Sequence, residues 1–416
     1  MDCILPEINV YSNKEFIVKN IIIKDDKIVG FVDKINDDEK ILYELKGCFL
    51  FPGFIDVHVH LREPGFLYKE TIESGSFAGA AGGYTTICSM PNLNPTPDTL
   101  EHLNVQLKCI EKDAMINVIP YGTITMGQKG EEIAQLEKMK DYVIGFSDDG
   151  RGVQNDQMME EAMIMAKALN KIIVAHCEDN TLLNSGYIHD GEYAKKHNHL
   201  GICSASEYEQ VRRDLELVRK TRCAYHVCHI STKETVDLIR KAKKEGLDVS
   251  CETAPHYLVL NDSMLEESGN FKMNPPIRDV SDQQALIQGI LDGTIDMIAT
   301  DHAPHSLEEK SKGLKGSLMG VVGLETAFSI LYSELVLSGI ITLSKLIELL
   351  SINSRNRFKI KTGDDYCLWD LNKKYTIDSD KFLSKGRSTP FNNRLVHGKH
   401  IYTFYQGKIV DLGNRG

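Results

Sequence analysis

Gly53-Phe54-Ile55-Asp56-Val57-His58-Val59-His60-Leu61-Arg62-Glu63-Pro64-Gly65 sets two histidines two residues apart at the end of an apolar run, with an arginine just beyond. Alternate side chains of a strand share a face. His58 and His60 are therefore directed into one space, as paired imidazole ligands of a metal must be. A chain with fourteen histidines produces such pairs by chance. The weight of this one comes from the strands that follow it.

Working outward, the middle of the chain alternates strand-like and helix-like segments, the pattern of βα units in a parallel sheet. The strand candidates are Gly53 to Val59, Tyr84 to Met90, Asn117 to Thr123, Val143 to Ser147, Ile172 to His176, Ala224 to His229, Asp248 to Thr253 and Ile295 to Thr300. Apolar residues recur at helical intervals in Asp156 to Leu169, Ser206 to Lys220 and Thr232 to Lys244. Eight parallel strands with helices between them close into a barrel. The expected fold is thus α/β, a (β/α)8 TIM-like barrel over residues 53–359. An open doubly wound sheet is the competitor, but no G-x-G-x-x-G follows a first strand.

Both ends of the chain differ in texture. Phe16 to Val18, Ile21 to Ile23 and Lys27 to Val32 are short β-rich runs broken by Asp25-Asp26 and Asn36-Asp37 turns, and similar runs return at Tyr366 to Asp370 and His400 to Val410. Residues 1–52 and 360–416 are expected to pair into one small β-sandwich domain.

The 416 residues carry 48 Lys and Arg against 59 Asp and Glu, a formal charge of −11, with no basic block able to track a phosphate backbone or an anionic membrane. Nucleic acid is not an expected partner. The ten cysteines form no C-x-x-C pair, and several sit in apolar runs, as buried thiols of a reducing compartment do. No signal-peptide pattern opens the chain, and no segment approaches the roughly 18 apolar residues of a membrane helix. A soluble, cytoplasmic protein is expected.

In such barrels the chemistry lies at the carboxyl ends of the strands. There the first strand has His58 and His60, the fourth runs into Ser147-Asp148-Asp149-Gly150, the fifth ends in His176, the sixth in His229, and the eighth runs into Asp301. Four histidines and two carboxylates at one mouth suffice for two zinc-type ions with a bridging carboxylate.

Taken together, GFIDVHVHLREPG, SMPNLNPTPD, AHCEDN, CHIST, MNPPIR and ATDHAPHS resemble the dihydroorotases of the amidohydrolase superfamily, specifically the monofunctional bacterial type, over about Gly53 to Ala327. The resemblance implies two Zn2+ per subunit, with His58 and His60 on one, His176 and His229 on the other, and Asp301 completing the first site. Many relatives bridge the metals with a carboxylated lysine at the end of the fourth strand, and Val143-Ile144-Gly145-Phe146-Ser147 contains none. Asp149 stands where a related branch has a bridging aspartate, chosen over Asp148 by its place in the D-D-G motif. Lys140 precedes the strand, at the wrong end of the barrel, and reads as a solvated charge.

The implied reaction interconverts N-carbamoyl-L-aspartate and dihydroorotate plus water in pyrimidine biosynthesis. Zinc lowers the pKa of a shared water and supplies a hydroxide nucleophile, with Asp301 as general acid and base. A carboxylate-bearing ring also needs a cation: Arg62 can grip a carboxylate bidentately. Asn92 and His305 resemble the family's other carboxylate contacts, Asn274 a contact to the ureide edge, and His60 also borders the substrate. The loop Lys310 to Gly323 has the Gly, Ser and Lys content of a mobile lid or substrate loop. Relatives often have Phe-Gly before V-G-L-E-T where this chain has Met319-Gly320, so backbone contacts survive and aromatic packing does not. The resemblance further implies a homodimer and allows a complex with aspartate transcarbamoylase.

Four residues take structural readings. His226 should face away from His229 and pack; Pro255-His256 shapes a loop; Cys177 and Cys228 should alternate outward toward the helices. Two alternatives stand beside the main reading. One is a hydantoinase- or allantoinase-type amidohydrolase, which the missing lysine and the presence of Arg62, Asn92 and His305 disfavour. The other is a noncatalytic partner of the transcarbamoylase, and such relatives typically lose metal ligands that this chain keeps.

Overall fold

The computed structural model describes residues 1–35 and 40–413, so the turn expected at Asn36-Asp37 lies outside the described residues, as do the last three positions of the terminal β segment. In the middle of the chain, Phe54–Val59, Tyr84–Ser89 and Asn117–Pro120 pair in parallel and in order. Ile173–Ala175, Tyr225–Val227, Val249–Thr253 and Met297–Ile298 form a second parallel sheet.

Single parallel bridges join the two sheets. Phe146 bridges Gly122 on one side and Ile173 on the other, and Val59 bridges His302, so the parallel neighbours run in a ring. The segment expected as a full fourth strand, Val143 to Ser147, is reduced to that bridge. Its backbone still bonds both neighbours, with Ile144 N donating to Pro120 O and Phe146 N to Ile172 O. A side chain on Gly145 would meet Ile172 Cγ2 at 2.8 Å, which is why this edge closes tightly around a glycine.

Helices Asp156–Ala168, Ala205–Thr221 and Lys233–Lys244 lie where the apolar spacing put them. Thr232 caps the last of these through its hydroxyl, accepting from Thr235 N. Buried Met159, Ala162, Met163 and Ala166 share one face of the first, recurring at three- and four-residue steps.

The chain ends differ from the expectation of a sandwich. Cys3–Ser12, Glu15–Lys24, Lys27–Val32, Lys408–Ile409, Leu395–Tyr405, Tyr366–Thr376 and Phe49–Pro52 are neighbours in one closed barrel. Register shifts between Leu5 and Ile8, and between Leu368 and Trp369, bend the long strands. Such bulges increase twist, and closure removes the unpaired edges that two stacked sheets would keep. Cys3–Ser12 is a strand that the sequence reading did not single out.

Aromatic packing ties this barrel to the parallel ring. Phe54, on the first parallel strand, lies 5.4 Å from Phe328 and 6.0 Å from Trp369 between ring centroids, and Phe328 lies 4.2 Å from Trp369. The anchor of the strand that carries His58 and His60 is therefore a dry aromatic cluster.

Candidate metal centre

Six residues from five separate segments converge. His58 Nε2 lies 3.2 Å from Asp149 Oδ1, His60 Nε2 lies 3.4 Å from Asp149 Oδ2, and Asp149 Oδ1 is 3.6 Å from His176 Nδ1 and 3.5 Å from His229 Nε2. Asp301 Oδ1 sits 3.1 Å from His60 Nε2 and 3.6 Å from His58 Nε2. The potential ligand atoms of His58, His60 and Asp149 all lie within 4.8 Å of one another, as do those of Asp149, His176 and His229, so Asp149 belongs to both sets.

The local backbone turns these side chains inward at some conformational cost. Arg62, His229 and Asp301 have φ of 60°, 31° and 48°, the left-handed region that residues with a Cβ seldom occupy. The strand Tyr225–Val227 has ended before His229, and Met297–Ile298 before Asp301, so neither residue follows strand alternation.

Asp148 and Asp149 are neighbours with opposite surroundings. Asp148 accepts from the amides of Ile124 at 2.8 Å and Thr125 at 3.1 Å and from the Thr125 hydroxyl, which anchors a loop. Burial pushes its carboxyl up to about 6 against those bonds. Asp149 is also opposed by burial, yet the charge of His58 and the close imidazoles of His176 and His229 hold its carboxyl well below the usual range.

Other members of the cluster hold each other ionised in the same way. Burial works against a charged His176, but Asp149 and Glu178 raise it to about 10. Burial likewise opposes ionisation of Asp301, and the hydrogen bond with His60 keeps its carboxyl at about 2.

His58 Nε2 and Asp149 Oδ1, which face each other at 3.2 Å, are both buried without hydrogen-bond partners. Orphaned polar atoms of this kind are rare in protein interiors. A set of imidazole nitrogens around a shared carboxylate is the donor set that a divalent, zinc-like cation takes. The residues present therefore fit a metal centre.

Around the cluster, His58 Nδ1 lies 2.7 Å from Glu252 Oε1 and His60 Nδ1 lies 2.8 Å from Asn92 Oδ1. Glu252 was not foreseen, although a carboxylate inside the expected strand Asp248 to Thr253 was a visible signal. A cavity of about 290 Å³ opens at the mouth, bordered by Arg62, Phe66, Lys69, Asn92, Gln128 and Asp149. Arg62 is nearly buried and donates Nε–H to Pro304 O at 3.2 Å; desolvation pushes its guanidinium down to about 10. His305 Nε2 is 2.8 Å from Met319 O, and Asn274 donates to Glu178 Oε1 at 2.9 Å while its own Oδ1 is left unpartnered. At Gly320, with φ 134°, a Cβ would meet Ala303 O at 2.7 Å.

Several readings change. His226 does more than pack: its Nε2 lies 3.1 Å from Glu252 Oε2 and its Nδ1 2.7 Å from Ser250 Oγ. Cys177 does turn toward a helix, with Sγ 3.8 Å from Asp214 Oδ2. Cys228 does not, because its sulfur lies within 4.8 Å of ligand-type atoms of His58 and Glu252. His256 lies in the short helix Pro255–Val259, buried, with Nε2 unpartnered. In the loop Lys310 to Gly323, the Lys310 ammonium donates to Lys272 O at 2.9 Å, Leu318 O at 2.8 Å and Gly320 O at 2.7 Å.

The family model described as "Dihydro-orotase-like" matches residues 47–235. A dihydroorotase of Fusobacterium nucleatum is 45% identical over 98% of both chains, and one of Bacillus cytotoxicus is 46% identical over 96% of both. Among solved structures, L-hydantoinase (dihydropyrimidinase) of Arthrobacter aurescens superposes with a TM-score of 0.85 at 25% identity, covering 98% of this chain and 96% of that one. Dihydropyrimidinase of Brevibacillus agri superposes with a TM-score of 0.82 at 20% identity over 99% and 95%, a likeness of fold.

Proposed function

The chain belongs to the dihydroorotase family, and from that premise we infer that it is a cyclic amidohydrolase interconverting N-carbamoyl-L-aspartate and (S)-dihydroorotate plus water in pyrimidine biosynthesis. One observation carries the reading. The Arg62 guanidinium and His305 stand at the same mouth as the His58, His60, Asp149, His176, His229 and Asp301 cluster, so a carboxylate and a scissile amide can be held at once.

In this reading His58, His60 and Asp301 would hold one Zn2+, His176 and His229 a second, and Asp149 would serve both. Bound there, zinc would acidify a water and polarise the ring carbonyl. The chain's own groups do the rest. Asp301, kept ionised and 3.1 Å from His60 Nε2, accepts a proton from the attacking water and returns it to the departing ring nitrogen. Arg62, Asn92 and His305 hold the substrate carboxylate, Asn274 the ureide edge, and His60, Met319 and Gly320 border the ring. In the reverse direction Asp301 takes the proton from the ureido nitrogen as the ring closes and water leaves.

The ring of parallel neighbours supports a (β/α)8 barrel over 53–359, with 1–52 and 360–416 as the β domain. No helix among the described residues is long and apolar enough to cross a membrane. A cytoplasmic homodimer, with aspartate transcarbamoylase as a candidate partner, completes the proposal.

The test is an assay of zinc-loaded protein with dihydroorotate, hydantoin and allantoin separately. Turnover of dihydroorotate with little of the others is expected. Absence of dihydroorotate turnover, or preference for hydantoin, would overturn the assignment.

A further inference from the structure

At the rim of the cavity, Lys69 Nζ lies 3.2 Å from His305 Nδ1 and 3.0 Å from Glu309 Oε1. The lysine side chain is only 11% exposed. Glu309 is itself held by the Tyr68 hydroxyl at 3.1 Å and by its capping-box bond from Ser306 N at 3.0 Å, so the ammonium has a fixed seat. Neither Lys69 nor Glu309 belongs to the ligand cluster.

An ammonium offers donors and no acceptor. His305 Nδ1 facing Lys69 must therefore be the bare, accepting nitrogen, and the ring proton belongs on Nε2. On the opposite side of the ring Nε2 lies 2.8 Å from the Met319 carbonyl oxygen, a contact that a bare nitrogen would make as lone pair against lone pair; Arg62 Nη2, also a donor only, opposes Nε2–H from 3.5 Å and is outweighed by this much shorter contact. The other tautomer would have Nδ1–H facing Glu309 Oε2 at 3.5 Å and would leave Met319 O opposed. A doubly protonated ring is disfavoured as well. Burial, together with the neighbouring cations Arg62, Lys69 and Lys310, keeps His305 neutral against the hydrogen bond to Met319 O and the nearby Glu309.

We propose that Lys69 is a positioning residue for the carboxylate end of the substrate: seated on Glu309, it fixes His305 as the Nε2–H tautomer, so that this ring always presents a donor beside Arg62. In the structure that donor is satisfied by Met319 O. Arg62 Nη2 is 3.5 Å from the same Nε2, so a carboxylate oxygen entering between guanidinium and imidazole can exchange the neutral carbonyl for a charged acceptor, the stronger bond. If the tautomer were free to switch, a bare Nε2 would repel the carboxylate.

The inference rests on the dihydroorotase reading for its substrate but not for its tautomer. Nitrogen-correlated NMR of His305 in the metal-loaded full chain is expected to show Nε2–H in the wild type, a mixed or inverted tautomer in Lys69→Met, and Nε2–H again in Lys69→Arg, which also has donors only. Kinetics should show KM for dihydroorotate raised about tenfold in Lys69→Met, the size of one charge-assisted hydrogen bond, with kcat changed by less and metal content unchanged; Lys69→Arg should recover most of KM. Nδ1–H in the wild type, or an unchanged tautomer and KM in Lys69→Met, would overturn the proposal. If the wild type fails to turn over dihydroorotate, the functional reading fails, and the NMR comparison still decides the role of Lys69.

Discussion

Glu252 Oε1 lies 2.7 Å from His58 Nδ1, and its other oxygen lies 3.1 Å from His226 Nε2, all three side chains being fully or almost fully buried. Burial alone would push this carboxyl up, but His58 and His226 hold it down at about 2. Nδ1–H of His58 donates to the carboxylate, so Nε2 is the nitrogen that would ligate a bound metal. Carboxylate partners of this kind set ligand orientation and basicity. Glu252→Ala is expected to weaken metal affinity about 10- to 100-fold in chelator competition, with Glu252→Gln milder because it retains an acceptor. Equal affinity in all three proteins would exclude this role.

Asp148 and Asp149 separate by experiment. Asp149→Ala removes the carboxylate common to both ligand sets, so metal content and activity should fall together while the fold persists. Asp148→Ala strips acceptors from the Ile124 and Thr125 amides and should cost about 1–3 kcal/mol of stability in denaturant unfolding with a smaller loss of metal. The reverse ranking would show that the bridging role belongs to Asp148.

Much of the site was legible because strand ends are visible as apolar runs, and His58, His60, His176, His229 and Asp301 stand at or just past theirs. Legibility failed where regular geometry was assumed to continue. His226 and Cys228 were given directions by alternation from His229, but the strand stops at Val227 and His229 takes a left-handed φ of 31°, so the parity does not carry across. The terminal barrel was out of reach for a different reason. Whether β-rich ends stack or close depends on pairings such as Asn9 with Phe49 and Lys27 with Lys408, which no local pattern encodes. Lys69 gave no signal because its meaning lies in a contact 236 residues away.

Arg62 should affect the substrate more than the metal. Its guanidinium is oriented by Pro304 O and faces the cavity, and removing it deletes the bidentate partner of a carboxylate. Arg62→Met is expected to raise KM for dihydroorotate by roughly 100-fold, from the loss of charge-assisted hydrogen bonds, with metal content near wild type by elemental analysis. Parallel loss of metal and binding would make Arg62 a structural residue instead.

His189 gives a pH dependence away from the cluster. It is 7% exposed, and Arg278 Nη1 lies 3.4 Å from its Nδ1. Burial first, then the Arg278 charge, push its pKa down to about 4, with Asp279 and Asp190 opposing. The folded protein therefore keeps this ring neutral between about 6.5 and about 4, whereas the unfolded chain takes up a proton there. The unfolded state binds more protons in that window, so stability rises with pH across it and is lost as pH falls. The full contribution, present above about 6.5, is on the order of 3 kcal/mol. Carboxylates and the cluster histidines titrate nearby, so the informative quantity is the difference between wild type and His189→Gln in denaturant unfolding from pH 7 to pH 4. The variant should show a shallower slope, by up to one proton near pH 5. Identical slopes would mean that His189 is protonated alike in the folded and unfolded chain.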